Sequence, residues 1–251
     1  MNIWERWFRR QTILFLHIPK CAGTTLTEEI IKKNYSPREL LIFYERGTEA
    51  LIECLQAMSR RKQKKIRCIA GHFAFGIHRY LTARPAVYIT LLRDPIERVV
   101  SHYYHTLRHQ EHYLHQQVTE KNYSLKEYVR RGLSKELNNG QTRILAGIGW
   151  GVEYGRCTRA MLEQAKENIE KHFAAVGISE RFDVFLQHLA ESFNWKIPVY
   201  EKRNMGAGRM DKGEVDHETL EVIKEYNQLD IELYNEFWQD KDILKNLSKI
   251  E

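Results

Sequence analysis

Apolar and polar positions along the chain alternate between two periods. Ile13, Leu14, Phe15, Leu16 and Ile18 form a short continuous apolar run, the pattern of a strand buried on both faces. Pro19 ends it, and Gly23, Thr24 and Thr25 open a segment, Thr25 to Asn34, that reads as helical. Glu49 to Arg60 carries apolar residues at helical spacing: Leu51, Ile52, Leu55 and Met58. Ile66 to Ala70 reads as a short strand ending at Gly71-His72. Val87 to Leu92, β-branched and apolar, is a second strong strand ending at Arg93. Asp94-Pro95 then supplies an N-cap and an N1 proline, and Ile96, Val99, Val100, Tyr103 and Leu107 mark the buried stripe of the helix that follows. Arg159 to His172 reads as a helix and Ala174 to Ile178 as a strand. Ser179 is the expected cap of a helix bearing Phe182, Phe185, Leu186, Leu189 and Phe193. A last helical region begins at Asp216 and runs to about Trp238, with a break near Asn227.

Strands alternating with helices imply an α/β fold, a P-loop-like, mostly parallel sheet flanked by helices on both faces. No repeat, low-complexity tract or linker interrupts the 251 residues, so residues 1–251 read as a single domain. In such sheets ligands bind beyond the carboxyl ends of the strands. Lys20, His72 and Arg93 each follow an expected strand, which places three polar groups on one rim.

Composition narrows the chemistry only a little. A hydrophobic content of 43% suits an ordinary core, and a formal charge of +6 favours an acidic partner without naming it. The basic run Arg60, Arg61, Lys62, Lys64 and Lys65 is most simply a solvated helix end, and nucleic acid is not the expected partner. Cys21, Cys54, Cys68 and Cys157 match no zinc spacing and no C-x-x-C pair. No signal peptide and no stretch of roughly 20 apolar residues is visible, so the expected location is cytoplasmic with reduced thiols. Docking of Trp4, Trp7 and Phe8 onto the domain's own surface is preferred over a membrane contact.

The stretch Phe15 to Leu26, F-L-H-I-P-K-C-A-G-T-T-L, is the strongest chemical signal. A strand enters a tight loop and then a helix, whose unpaired N–H groups and dipole attract anions. Lys20 adds a cation, and Thr24 and Thr25 add hydroxyls. The order is not that of a Walker A loop, because the lysine precedes the glycine. Nor is it C-x5-R, because Thr27 stands where the arginine would be. Cys21 is read as a small residue rather than a nucleophile, for want of a paired base. A second constellation, L-L-R-D-P-I-E-R-V-V-S-H-Y-Y from Leu91 to Tyr104, sets Arg93 at a strand end and Ser101 on the next helix, a corner suited to a second phosphate. A capped helix with a solvated arginine is the simpler alternative for that corner taken alone.

Together the two motifs resemble the nucleotide-binding elements of sulfotransferases that use 3′-phosphoadenosine 5′-phosphosulfate (PAPS). The chain is most similar to the uronyl and heparan-type 2-O-sulfotransferases, a carbohydrate branch. That resemblance extends to G-H-F-A-F-G (Gly71 to Gly76), L-E-Q-A-K-E-N-I (Leu162 to Ile169), A-V-G-I-S-E-R-F (Ala175 to Phe182), the loop at Arg203-Asn204 and the end near Phe237. It implies transfer of a sulfuryl group to a carbohydrate hydroxyl, leaving 3′-phosphoadenosine 5′-phosphate (PAP), with no metal. It further implies that Lys20 contacts the leaving 5′-phosphate, and that Cys21, Ala22, Gly23, Thr24 and Thr25 cradle it. Arg93 and Ser101 would bind the 3′-phosphate, Arg203 and Asn204 would close over the nucleotide, and His72 would be the general base. The loop around Arg203, R-N-M-G-A-G-R, is richer in glycine than the family pattern. The animal enzymes of that family are Golgi membrane proteins with a stem, whereas the expectation here is a cytosolic protein.

Two clusters stay open at this level. His105, His109 and His112 share a helical face, and an acceptor contact by Arg108, His109 or His112 is preferred over a metal site. Asn139, Gln141 and Arg143, in N-G-Q-T-R, are expected to form a lid or an acceptor contact, with a plain turn as the alternative. A P-loop kinase and a non-catalytic module binding a nucleotide or acidic glycan remain as rival functions. The acceptor's identity and the oligomeric state are not legible.

Overall fold

The computed structural model describes residues 10–44, 47–148, 151–200 and 212–239. Five strands form its sheet: β1 (Thr12–Leu16), β2 (Leu40–Phe43), β3 (Cys68–Gly71), β4 (Ala86–Leu92) and β5 (Phe173–Ile178). Their order is β2-β3-β1-β4-β5, and every neighbouring pair runs parallel. Parallel neighbours require crossovers, and most of these are helical. Every residue of β1, β3 and β5 is buried, so both faces of the sheet are covered, as the continuous apolar runs imply.

Connections leave the central strand β1 in opposite directions: the chain goes outward to β2, returns to β3, then crosses to β4 on the far side. A crevice opens at such a switch point beyond the strands' carboxyl ends. Helix α1 follows β1 as Gly23–Thr25, a π-helical turn Leu26–Ile31 and Lys32–Asn34 without a break. Helices α2 (Gly47–Ala57) and α3 (Arg60–Gln63) lie between β2 and β3. Residues 60–62 of α3 are exposed, so the basic run is a solvated helix, as expected.

After β4 come α4 (Pro95–Arg108), α5 (His115–Glu120), α6 (Leu125–Arg130) and α7 (Gly140–Ala146). Asp94 caps α4, its Oδ1 accepting from the N–H groups of Ile96 and Glu97, with Pro95 at the first helical position as expected. Helix α8 (Arg159–His172) leads into β5, and α9 (Phe182–Phe193), α10 (His217–Tyr226) and α11 (Gln228–Gln239) complete the described chain. Ser179 does not cap α9: a 3-10 turn, Ser179–Arg181, intervenes, and the serine hydroxyl donates to Glu180. The break at Asn227 is present, and its buried side-chain amide donates to the carbonyls of Leu137 and Ile223.

Two apolar clusters hold these elements. The larger surrounds the sheet. The second joins α4, α6 and α10 through Val99, Val100, Tyr128, Val129, Val222 and Ile223. It fixes α4 on the flank of the site. Among the described residues no helix is long and apolar enough to cross a membrane. Arg203, Asn204, Trp4, Trp7 and Phe8 lie outside the described residues.

Candidate active site

The turn after β1 is unusual for residues with side chains. Lys20 and Ala22 both adopt left-handed backbone, with φ of 70° and 60°, a conformation that costs free energy away from glycine and recurs where backbone is shaped for a ligand. Gly23, Thr24 and Thr25 open α1 directly after this turn. Ala22, at the cap position, provides no side-chain acceptor for them. The helix start thus keeps its capacity for an external anion, and the π-helical turn that follows is itself a common accompaniment of functional sites.

Beside this turn lies a cavity of about 550 Å³. Lys20 and Thr24 line it from the loop, His17 from the end of β1, Tyr44 from the end of β2 and His72 from the end of β3. Helix α4 and the segment after it contribute His102, His105, His112 and Tyr113, while Glu136 and Arg143 close the far side. Of the residues expected to serve the site, the cavity therefore collects Lys20, Thr24 and His72. Cys21, Ala22, Gly23, Thr25, Arg93 and Ser101 are not among its lining residues.

His72 is placed by backbone. The main chain at Gly71 passes so close to β2 that a Cβ there would sit 1.8 Å from the Phe43 carbonyl oxygen, and His72 N donates to that same oxygen at 3.0 Å. Its ring nitrogen Nδ1 lies 2.8 Å from the His17 carbonyl oxygen. A carbonyl only accepts, so Nδ1 carries the proton and Nε2 keeps its lone pair. Burial lowers the His72 pKa below the usual imidazole value, offset in part by the His17 carbonyl and Glu136 and reinforced by Lys20. The ring is thus neutral, in the tautomer a general base needs.

Sequence reasoning passed over His17, although it stands inside the motif that drew attention. Its ring stacks on Phe15 and lies 4.4 Å, centre to centre, from His72. Tyr44 Oη donates to Thr27 Oγ1 at 2.7 Å, so the 3.3 Å contact between His17 Nδ1 and Tyr44 Oη has the histidine as donor. Burial, followed by the nearby His72 and Lys20, holds His17 well below the usual imidazole pKa. One neutral ring therefore lies beside His72 and near Lys20.

Lys20 is largely enclosed. Burial, then the positive charges of Arg93 and Arg108, bring its pKa down to about 8, so it remains mostly cationic at neutral pH. Arg93 Nη1 donates to the Lys20 carbonyl at 3.0 Å, and its Nη2 meets Glu97 Oε2 at 3.4 Å. The arginine thus buttresses the loop from outside the cavity. Ser101 is buried in α4. Cys21 is no nucleophile: burial pushes its thiol up to about 12, and Sγ faces the Pro19 carbonyl and Gln141 Oε1.

The segment N-G-Q-T-R forms neither a lid nor a plain turn. It opens the buried helix α7. Gln141 makes a two-point clasp on the backbone of Arg93: Arg93 N donates to Oε1 and Nε2 donates to Arg93 O, both at 3.0 Å. The buried Asp230 of α11 accepts from Gln141 N, Thr142 N and Thr142 Oγ1, a carboxylate seated at a helix start. Arg143 is fully buried, and its guanidinium donates to Asn138, Val152 and Glu153. Asn139 adopts φ of 49° and its Oδ1 accepts from the N–H groups of Leu229 and Asp230.

The histidine cluster divides. His105 and His112 line the cavity, whereas His109 and Arg108 are not among its lining residues. His109 Nδ1 instead bonds the His105 carbonyl. Among the described residues no three His, Cys, Asp or Glu side chains converge as metal ligands. His102 is the member of the run with a defined network. Its Nδ1 contacts Tyr128 Oη at 2.8 Å and its Nε2 lies 3.2 Å from Glu136 Oε2.

The pattern described as "Sulfotransferase family" matches residues 6–237. Human heparan-sulfate 6-O-sulfotransferase 1 is 26% identical over 281 residues, covering 89% of this chain and 64% of that protein. The Caenorhabditis elegans heparan sulfate 2-O-sulfotransferase hst-2 is 28% identical over 200 residues, covering 72% and 59%. The chain thus spans just under two thirds of the length of these relatives. A sulfotransferase crystal structure from Alicyclobacillus acidocaldarius overlays with a TM-score of 0.49 at 15% identity, covering 92% of this chain and 97% of that one. With its match running through nearly the whole of the described fold, this chain belongs to the sulfotransferase family.

Proposed function

We propose that the chain, acting as one sulfotransferase domain, transfers a sulfuryl group from PAPS to a hydroxyl of a carbohydrate acceptor. The observation that carries this reading is the shared cavity of His72 and Lys20: a neutral imidazole with a free Nε2 faces the same space as a cation set on an anion-seeking loop. Heparan sulfate sulfotransferases among the relatives support a glycan as acceptor.

The residues present fit the donor. The left-handed turn at Lys20 and Ala22 and the first N–H groups of α1 suit a 5′-phosphate. Arg93, which bonds the Lys20 carbonyl, and Ser101 of α4 are the residues assigned in this reading to the 3′-phosphate. When bound, the donor supplies an activated sulfuryl group with PAP as its leaving group. His72 Nε2 accepts the proton of the attacking hydroxyl. Lys20 and the loop N–H groups hold the negative charge that develops on the departing phosphate. His17 keeps the base and the loop in register. In this reading no metal is required, since the lysine and backbone donors carry the charge.

The test is donor-dependent mass gain on a panel of oligosaccharides, with PAP binding followed separately by thermal shift. Mass gain lost in His72→Ala while PAP still binds is the expected result. Wild-type transfer by both His72→Ala and Lys20→Ala would overturn the mechanism. A melting-temperature rise with ATP and Mg²⁺, but none with PAP, would overturn the donor.

A further inference from the structure

A second cavity, of about 480 Å³, shares a wall with the cavity of His72 and Lys20. Phe73 and Ala74 line the first cavity and Phe75 the second, while Ile144 of α7 lines the first and Ala146 the second. Phe75 N donates to the Ile144 carbonyl at 2.9 Å, which ties the wall together. No lining residue is common to the two cavities, so the second is a separate space.

Its lining joins an apolar floor to unpaired positive charge. Phe75, Val152 and Met161 form the floor with Ile148, which leaves 42% of its surface exposed. Two of the polar groups are already engaged: Asn168 Nδ2 donates to the Leu145 carbonyl at 2.8 Å, and Gln164 Nε2 donates to Asn168 Oδ1 at 3.0 Å. Arg79 and Arg156 are not. Neither guanidinium has a hydrogen-bond or ion-pair partner among the described residues, and no carboxylate lines the cavity. The acidic residues close to Arg156 in sequence are committed elsewhere, Glu153 to Lys135 at 3.1 Å and Glu163 to Arg159 at 2.8 Å. Behind Phe75, the imidazoles of His78 and His172 are held below their usual pKa by burial, and the charge of Arg79 lowers both further. The positive charge on this side of the molecule is therefore not neutralised by the protein itself. Ligand cavities commonly pair an apolar lining with a few convergent polar groups, and guanidinium is suited to planar oxyanions.

We propose that this cavity is a second binding site, for a small amphipathic anion: an apolar body rests on Phe75, Ile148, Val152 and Met161, and a carboxylate or sulfo group faces Arg79 and Arg156. The site goes beyond the sulfotransferase reading. Neither His72 nor Lys20 lines it, so no transfer takes place there, and its occupant does not compete with the nucleotide. A neutral apolar molecule leaves the two guanidinium groups unmatched, and a bare anion leaves the floor uncovered.

The experiment is calorimetric titration of the full chain, saturated with PAP, with 2-naphthalenesulfonate as the probe. The expected result is one-site binding together with a rise in melting temperature, as for any ligand of the native state. Arg79→Gln and Arg156→Gln should each raise Kd about five- to tenfold, the difference between a charge-assisted and a neutral hydrogen bond. Both side chains are exposed, so the fold and PAP affinity should be unchanged. Lys20→Ala should leave the probe's Kd as it is. The uncharged 2-naphthalenesulfonamide and inorganic sulfate should each bind about tenfold more weakly than the probe, or worse. Absence of saturation at about 1 mM probe, displacement by PAP, weakening by Lys20→Ala, or an unchanged Kd in either arginine variant overturns the proposal. Equal affinity for the sulfonamide or for inorganic sulfate overturns it as well. None of these outcomes bears on transfer at His72, so the sulfotransferase reading stands or falls separately.

Discussion

The His72 ring hangs from the main chain of His17, Nδ1 to carbonyl oxygen at 2.8 Å. The partner is a backbone atom at the end of β1, so His72 takes its tautomer from the strand that also leads into the Lys20 loop. Removing the imidazole should cost about 10²–10⁴-fold in kcat, the usual worth of a positioned general base. PAP affinity should hold, because His72 touches none of the loop groups assigned to the nucleotide. Single-turnover transfer and PAP titration on His72→Ala check both halves. His17→Ala should be much milder, since the carbonyl that holds the base survives the change.

The pH profile follows from the two shifted groups. In the proposed mechanism His72 acts as the neutral base, and burial lowers its pKa from the ordinary imidazole value. Activity therefore rises through a pH below 6.5 and is already on its plateau near neutrality. In the same mechanism Lys20 acts as a cation, and burial brings its pKa down to about 8, so activity should fall above that pH as its charge is lost. A plot of kcat/KM against pH should be a bell with its alkaline limb near 8. Lys20→Arg should move that limb upward, because guanidinium does not deprotonate in this range. An alkaline limb that stays near 8 in Lys20→Arg would assign it to another group.

Gln141 should matter to the donor without touching it. Its side chain is fully buried and bonds both backbone groups of Arg93, while Arg93 Nη1 bonds the Lys20 carbonyl. Gln141→Ala removes both of these bonds from the part-buried Arg93 backbone, a cost of about 1–3 kcal/mol. The expected readout is a lower melting temperature together with weaker PAP binding. Arg93→Ala and Ser101→Ala should weaken PAP binding as well, and only Arg93→Ala should also loosen the Lys20 loop. Limited proteolysis near residue 20 distinguishes the two.

Much of this architecture could be read from local pattern. The first strand, the Asp94-Pro95 helix start and the helix Arg159–His172 were legible because each carries its own signal: an unbroken apolar run, a cap, a 3.6-residue period. Strand β2 was not, because four half-buried residues at a sheet edge make too short a run. Missing β2 also hid Tyr44, which follows it. Helix α6 did carry a readable capping box, Ser124 with Glu127, and went unread. Gln141, Asn139 and Asp230 acquire their roles only across some 90 residues of chain, a pairing no local period contains. Glu136 likewise becomes a cavity residue only through the packing of α4, and nothing in its neighbourhood of the sequence announces it.

The glycine of the loop provides the sharpest steric test. A Cβ on Gly23 would lie 2.0 Å from His17 Cδ2 and 2.3 Å from Nε2, closer than real contacts allow. The His17 ring cannot retreat freely, because Phe15, Tyr44 and His72 pack around it. Gly23→Ala must therefore push the ring or the loop out of place, at about 1–3 kcal/mol for overpacking a tight site. Donor binding should weaken because the displaced loop is the one proposed to hold the 5′-phosphate. His17→Ala empties the space the new methyl needs, so the double variant His17→Ala/Gly23→Ala should be more stable than Gly23→Ala alone and should recover PAP binding. Thermal melts and PAP titrations on all four proteins give the coupling, expected at about 0.5–3 kcal/mol for residues in contact. Additive effects, with no recovery in the double variant, would mean that the ring and the loop do not share this contact in solution.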